Sequence, residues 1–130
     1  MKKSQITGIY SLIIGISMIG MWIMFLVTNN VPELSTTPWE IGFHILAELI
    51  TASLLIFASI GLLRDYNWRF SAYFVGTGML LYSIISEGLG YYVQRSNLLF
   101  IGMFISLLIF TLGFFGLTIL EYYNKETLKF

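Results

Sequence analysis

Four long apolar segments, separated by short polar connections, make up most of the chain. They cover residues 6–27, 41–63, 70–93 and 98–120. A transmembrane helix needs about 20 mostly apolar residues, and each segment reaches that length. Because the apolar residues run continuously and do not alternate with polar ones, the pattern favours helices over a membrane β-barrel. We therefore predict an all-α polytopic membrane protein, an antiparallel four-transmembrane-helix bundle that forms a single domain over residues 1–130.

The composition agrees with a membrane protein and excludes several classes of function. Of the 130 residues, 57% are hydrophobic and 11% are charged, whereas soluble domains carry about 25% charged residues. The seven basic and seven acidic residues cancel, and the absence of a basic patch gives no reason to expect a nucleic-acid partner. The chain contains no cysteine, which excludes disulfides, thiolate metal sites and cysteine nucleophiles.

The first apolar segment follows a basic start, Met1-Lys2-Lys3, of the kind that opens a secretory signal. The segment is longer than the roughly 7–15 residues of a signal's apolar region, and no A-x-A-like cleavage site follows it. We therefore interpret it as a first transmembrane helix that is not cleaved.

The basic residues predict how the helices are oriented in the membrane. With four crossings, one side of the membrane receives six basic residues and the other side receives Arg95 alone. The six are Lys2, Lys3, Arg64, Arg69, Lys125 and Lys129. By the positive-inside rule, both termini are expected in the cytoplasm of a multi-pass protein of the cell membrane. Aromatic residues are expected at the two interfaces, namely Trp22, Trp39, Trp68, Tyr91, Tyr92, Tyr122 and Tyr123.

Small residues recur on the first and fourth apolar segments, among them Gly15 and, further along, Gly102, Gly113 and Gly116. Small side chains allow helix backbones to approach closely in lipid. We interpret these glycines as packing positions with no chemical role.

Three ionisable residues interrupt the second and third segments: His44, Glu48 and Glu87. A charge at membrane depth costs roughly 2.5–3.5 kcal/mol on insertion scales, so such residues are usually buried against protein. At a rise of about 1.5 Å per residue, Glu48 lies roughly 13 Å below the outer end of its helix and Glu87 roughly 10 Å below that of the next. The shared depth predicts one buried polar site in the outer half of the membrane.

Helical phase supports the same site. His44 and Glu48 are four residues apart and therefore share one face of a helix. Ser83, Glu87 and Tyr91 repeat at the same spacing on the third segment. The two polar stripes could meet within one chain, or they could face a partner in a homodimer or in another membrane protein.

Two functions suit this residue set. His44, Glu48 and Glu87 could bind a divalent metal ion, because one imidazole and two carboxylates suit Zn, Fe or Mn and leave a position open. The same groups could support proton-coupled transport, since a histidine and two carboxylates in a low dielectric exchange protons as a coupled set. On the second interpretation, Ser83 and Tyr91 belong to the ligand or proton site.

Two alternatives remain open from the sequence. The polar residues could only fix helix pairing in an adaptor or structural subunit, since interhelical polar contacts average about 0.6 kcal/mol. They could also form part of a membrane enzyme that binds a lipid-like ligand, with Glu48 or Glu87 as acid or base. The sequence carries no motif for a particular reaction, so whether the protein is an enzyme is left undecided.

Overall fold

The computed structural model describes residues 3–128 and the side chains of residues 4–124. Every regular element in this part of the chain is helical, in agreement with the predicted all-α class. Lys2 and Lys129, which entered the orientation count, lie outside the described residues. The elements in chain order are α1 (Lys3–Val27), α2 (Glu33–Thr36), α3 (Pro38–Arg64), α4 (Arg69–Tyr82), a π-helix (Ser83–Leu89), α5 (Gly90–Gln94) and α6 (Leu98–Leu128).

Three of these helices are long and apolar enough to cross a membrane. The stretches that qualify are Ser4–Val27, Pro38–Arg64 and Leu98–Asn124. They contain the first, second and fourth segments predicted from the sequence. Each is far longer than the mean of about 11–12 residues for a helix of a soluble domain. By length and composition, these three helices are compatible with a multi-pass membrane protein.

The third predicted segment, 70–93, differs from the expectation of one uniform α-helix. It coincides with α4, the π-helix and α5, and the longest of these, α4, has 14 residues. The backbone nevertheless passes through both junctions without a break, because Ser83 (φ −62°, ψ −44°) and Gly90 (φ −58°, ψ −42°) keep right-handed helical angles. A π-helix takes one more residue per hydrogen-bonded turn than an α-helix, so the side chains beyond it are shifted around the axis.

The helix ends explain the tight reversals between consecutive long helices. Pro38 occupies the first turn of α3, where its missing N–H leaves no hydrogen bond unmade. Asp65 ends α3 in a left-handed conformation (φ 56°), and Asn29 (φ 57°) and Ser96 (φ 54°) do the same after α1 and α5. Asn and Asp tolerate this region better than other side chains. Short connections of this kind place neighbouring helices side by side.

α1 and α3 pack closely together, and glycine makes this close approach possible. A Cβ atom on Gly15 would lie 2.7 Å from Ile56 Cγ1 and 2.9 Å from the carbonyl oxygen of Ala52. The predicted packing role of Gly15 is therefore confirmed. Further into the bundle, Leu55, Leu80 and Ile84 form an apolar layer between α3 and the α4–π-helix segment.

The glycines of α6 do not have the packing role that the sequence suggested. No described atom lies within 4 Å of the position that a Cβ would take on Gly102, Gly113 or Gly116. α6 meets α1 through hydroxyl groups instead: Tyr10 and Thr111 share a hydrogen bond of 2.7 Å, and Thr118 donates to Thr7 at 3.1 Å. The glycine face of α6 is turned away from the rest of the chain.

We expect Gly15→Ala to destabilise the protein although alanine is the better helix former. The added methyl group meets a backbone carbonyl that cannot turn aside, and overpacking of this kind costs about 1–3 kcal/mol. Gly20→Ala is the matched control on the same helix, because a Cβ there has no described atom within 4 Å. Thermal unfolding in detergent should give a lower Tm for Gly15→Ala alone. Equal Tm values for the two variants would contradict the close approach of α1 and α3.

Candidate functional site

The side chain of His44 lies between two carboxylates. Its Nε2 atom is 3.7 Å from Glu48 Oε1, and its Nδ1 atom is 3.3 Å from Glu87 Oε2. α3 supplies His44 and Glu48 from successive turns of one face, and the π-helix supplies Glu87. The structure therefore brings together the three ionisable residues that the sequence singled out.

Glu48 is the buried centre of the cluster, with 9% of its surface exposed. Its Oε2 atom accepts a hydrogen bond of 2.5 Å from Trp22 Nε1, and its Oε1 atom accepts one of 2.5 Å from Ser83 Oγ. Both oxygens therefore act as acceptors, which suits an ionised carboxyl group. The two donors come from α1 and the π-helix, so that three helices meet at one side chain.

Trp22 is the site residue that sequence reasoning missed. From the sequence it is expected among the interfacial aromatics and on one face of α1 with Gly15, but not beside Glu48; it is 8% exposed. Beyond its bond to Glu48, its ring meets the ring of His44 edge-on, with centroids 5.5 Å apart and planes at 72°. A signal was present in the sequence, because Trp22 lies seven residues after Gly15, which is two helical turns along the packing face of α1.

Ser83 and Tyr91, which the sequence placed on one stripe with Glu87, have different surroundings. Ser83 belongs to the cluster through its bond to Glu48. The hydroxyl of Tyr91 donates to Glu33 Oε1 at 3.1 Å, so this side chain contacts α2 in the connection between α1 and α3. The guanidinium of Arg95 lies 3.5 Å from the centre of the Tyr91 ring. Tyr91 is thus tied to the end of the bundle beyond Glu87.

A cavity of about 510 Å³ adjoins the cluster, between α3 and the α4–π-helix segment. Val75 and Tyr82 are 57% and 68% exposed, so the cavity opens sideways through the surface of the bundle. Polar groups lie along one part of the wall, and apolar or aromatic side chains cover the remainder. The lining residues are His44, Ala47, Glu48, Thr51, Phe74, Val75, Gly78, Met79, Tyr82, Ser83 and Glu87.

The geometry does not support the expected divalent metal site. In the described part of the chain, no group of three or more His, Cys, Asp or Glu side chains is arranged to hold a metal ion. The physical reason is visible at His44: its two ring nitrogens face different carboxylates, Nε2 towards Glu48 and Nδ1 towards Glu87. The three side chains therefore do not converge on one point, as ligands of a single ion must. His44 instead bridges the two carboxylates.

Comparison with known proteins defines a family and supplies no function. No curated protein and no solved structure matches the chain. A family model described as a domain of unknown function (DUF8058) matches residues 1–129. Because this match covers nearly the whole sequence, the chain belongs to that family.

Proposed function

We propose that this protein crosses the membrane four times and binds a cation, in competition with protons, at the cluster of His44, Glu48 and Glu87. The single observation that carries the proposal is the position of His44 between two carboxylates at the edge of an open cavity. Binding of this kind is the first step of proton-coupled transport. Both termini lie in the cytoplasm in this proposal, as the distribution of basic residues indicates.

The third of the four proposed crossings along the chain consists of α4, the π-helix and α5 together. These elements follow one another without a turn from Arg69 to Gln94, a length that suffices for a span at about 1.5 Å per residue. The π-helix does not weaken this proposal, because wide turns of this kind occur inside otherwise regular helices and often at functional sites.

The charges of the cluster favour a positively charged ligand. Two carboxylates face a single imidazole, and the groups that approach His44 from α1, α3 and the π-helix are Trp22, Glu48 and Glu87. Protonation of His44 compensates one negative charge, and a second positive charge is needed for neutrality. The cluster therefore keeps one net negative charge when His44 is protonated, and a further proton or a cation can balance it at the exposed Glu87.

Glu87 is the group through which a cation can bind. Its side chain is 45% exposed and lines the cavity, whereas Glu48 is held by Trp22 and Ser83. The two carboxylates therefore differ in role: Glu48 supplies a fixed charge, and Glu87 supplies an accessible one. Protons and cations compete for the same oxygens, so acidification should weaken cation binding.

A second candidate function, helix pairing, is favoured by a different observation. Glu48 accepts hydrogen bonds from α1 and from the π-helix, and so links three helices inside the bundle. In this alternative the cluster fixes the packing of an adaptor or structural subunit, and no ligand binds. The two candidates differ in the role of Glu87. In the first it binds a cation, and in the second its contact with His44 only helps to hold the helices together.

Single cysteines test the number of crossings, because the chain has none of its own. In intact cells, a membrane-impermeant maleimide should label Asn30→Cys and Gln94→Cys, whereas Asn67→Cys should react only after permeabilisation. All three positions are exposed. Labelling of Asn30→Cys without Gln94→Cys would show that residues 69–94 do not cross the membrane. Labelling of Asn67→Cys in intact cells would show that the orientation is the reverse of the proposed one.

Proton release tests cation binding. Addition of Na⁺ or tetraphenylphosphonium to the purified protein in weak buffer, at several acidic to neutral starting pH values, should release protons with at least one of these probes. Glu87→Gln should lower that cation's affinity at least tenfold and reduce the release, because it removes the accessible negative charge. Glu40→Gln, at an exposed position of the same chain, should behave as wild type. Absence of release with both probes at every starting pH, or undiminished release in Glu87→Gln, would overturn the proposal.

Trp22→Phe separates the two candidate functions. Loss of the indole N–H leaves Glu48 with one donor fewer, and a hydrogen bond to a charged group contributes about 1.5–3 kcal/mol. The Tm should therefore fall relative to wild type and to Trp39→Phe, a control at an exposed tryptophan. Cation-dependent proton release should persist in the folded Trp22→Phe protein. If no cation binds and Glu48→Gln and Glu87→Gln lower only the Tm, the helix-pairing function is correct.

A further inference from the structure

We infer that the cation bound at this site is a lipophilic organic cation that enters the cavity from the bilayer, an inference that rests on the proposed cation binding. The cavity beside the cluster carries it. A site for a bare inorganic ion needs only a few converging ligands, whereas about 510 Å³ of space lies beside His44 and Glu87. That volume falls within the roughly 300–1,000 Å³ typical of small-molecule sites.

The walls of the cavity match an organic ligand. Phe74, Val75, Met79 and Tyr82 present aromatic and aliphatic surface along α4. Aromatic faces attract cations through their quadrupole, and methionine adapts to ligands of varied shape. Burial of apolar ligand surface against these side chains would contribute roughly 25 cal/mol per Å². An inorganic ion has no apolar surface to bury against this part of the wall.

The polar part of the wall selects for positive charge. The hydroxyl of Thr51 already donates to the carbonyl oxygen of Ala47 at 2.9 Å, and the hydroxyl of Ser83 already donates to Glu48. The strongest remaining polar groups that face the cavity are the carboxylate oxygens of Glu87. Carboxylates accept hydrogen bonds and attract cations, so a neutral or anionic ligand of the same shape should bind less well.

The direction of the opening also excludes a strongly hydrated ion as the preferred ligand. The mouth lies beside Val75 and Tyr82, at the side of the bundle and within the proposed third crossing, so the bilayer covers it. Transfer of a small ion from water into a hydrocarbon medium costs tens of kcal/mol. A cation whose charge is shielded by apolar groups crosses that region at a much lower cost, and can therefore reach the cavity from the side.

Gly78 offers a way to block the cavity without disturbing the fold. It lines the cavity, and no described atom lies within 4 Å of the position of a Cβ at this residue. Gly78→Leu therefore places an isobutyl group in open space where the ligand would lie. Gly102→Leu is the matched control, since Gly102 is equally unobstructed but lies on α6, away from the cavity.

The experiment measures binding of tetraphenylphosphonium to the purified full-length protein in nanodiscs, with neutral triphenylphosphine oxide for comparison. We expect saturable tetraphenylphosphonium binding in wild type and in Gly102→Leu, at least a tenfold loss of affinity in Gly78→Leu, and a similar loss in Glu87→Gln. The neutral compound should bind at least tenfold more weakly than the cation. All variants should first be checked for an unchanged Tm.

The possible failures point to different errors. If Na⁺ binds in a Glu87-dependent manner and tetraphenylphosphonium does not, the cation site stands and the lipophilic ligand is wrong. If tetraphenylphosphonium binds equally well in Gly78→Leu, or no better than the neutral compound, the inference is also wrong. If its binding is lost in Gly78→Leu but unchanged in Glu87→Gln, the cavity binds apolar molecules and the proposed cation binding fails.

Discussion

The structure depends on the need to satisfy one buried carboxylate. Glu48 lies inside a bundle whose surface is largely apolar, where an ionised group without partners would be strongly destabilising. Its two oxygens are satisfied by Trp22 from α1 and Ser83 from the π-helix. These hydrogen bonds fix the rotation of both elements relative to α3. The positions of the other polar groups follow from that arrangement, because His44 lies one turn away from Glu48 and Glu87 lies one turn away from Ser83.

The cavity and the cluster are linked through the same packing. α1 approaches α3 closely at Gly15, beside Ala52 and Ile56, neither of which lines the cavity. The apolar layer of Leu55, Leu80 and Ile84 holds the α4–π-helix segment to α3. Nearer to Glu48 the two helices leave space that no described side chain fills. The polar groups thus lie at the edge of a space that the packing leaves open, which is the usual arrangement of a ligand site.

Much of the fold could be predicted from local patterns. Long apolar runs identify three of the long helices, and the spacing of four between His44 and Glu48 identifies a shared face. The π-helix could not be predicted, because its wide turn depends on tertiary contacts such as the packing of Gly88 against the ring of Phe104. For the same reason the three residues of the predicted stripe have different partners: Ser83 and Glu87 contact Glu48 and His44, whereas Tyr91 contacts Glu33. Tryptophan is common at membrane interfaces, so the sequence places Trp22 there. Its bond to Glu48 joins residues 26 positions apart, a pairing that local patterns do not reveal.

Within the segment from Arg69 to Gln94, the π-helix sets the rotation of α5 about the helix axis relative to α4. One residue corresponds to roughly 100° of rotation in an α-helix. If the wide turn between Ser83 and Leu89 reverted to α-helical pairing, everything beyond it would rotate about the helix axis by a large angle relative to α4. Such a rotation would carry Tyr91 away from Glu33 and would change the angle at which Glu87 meets His44. The contact between Tyr91 and Glu33 and the approach of Glu87 to His44 therefore both depend on the hydrogen-bond register of the π-helix.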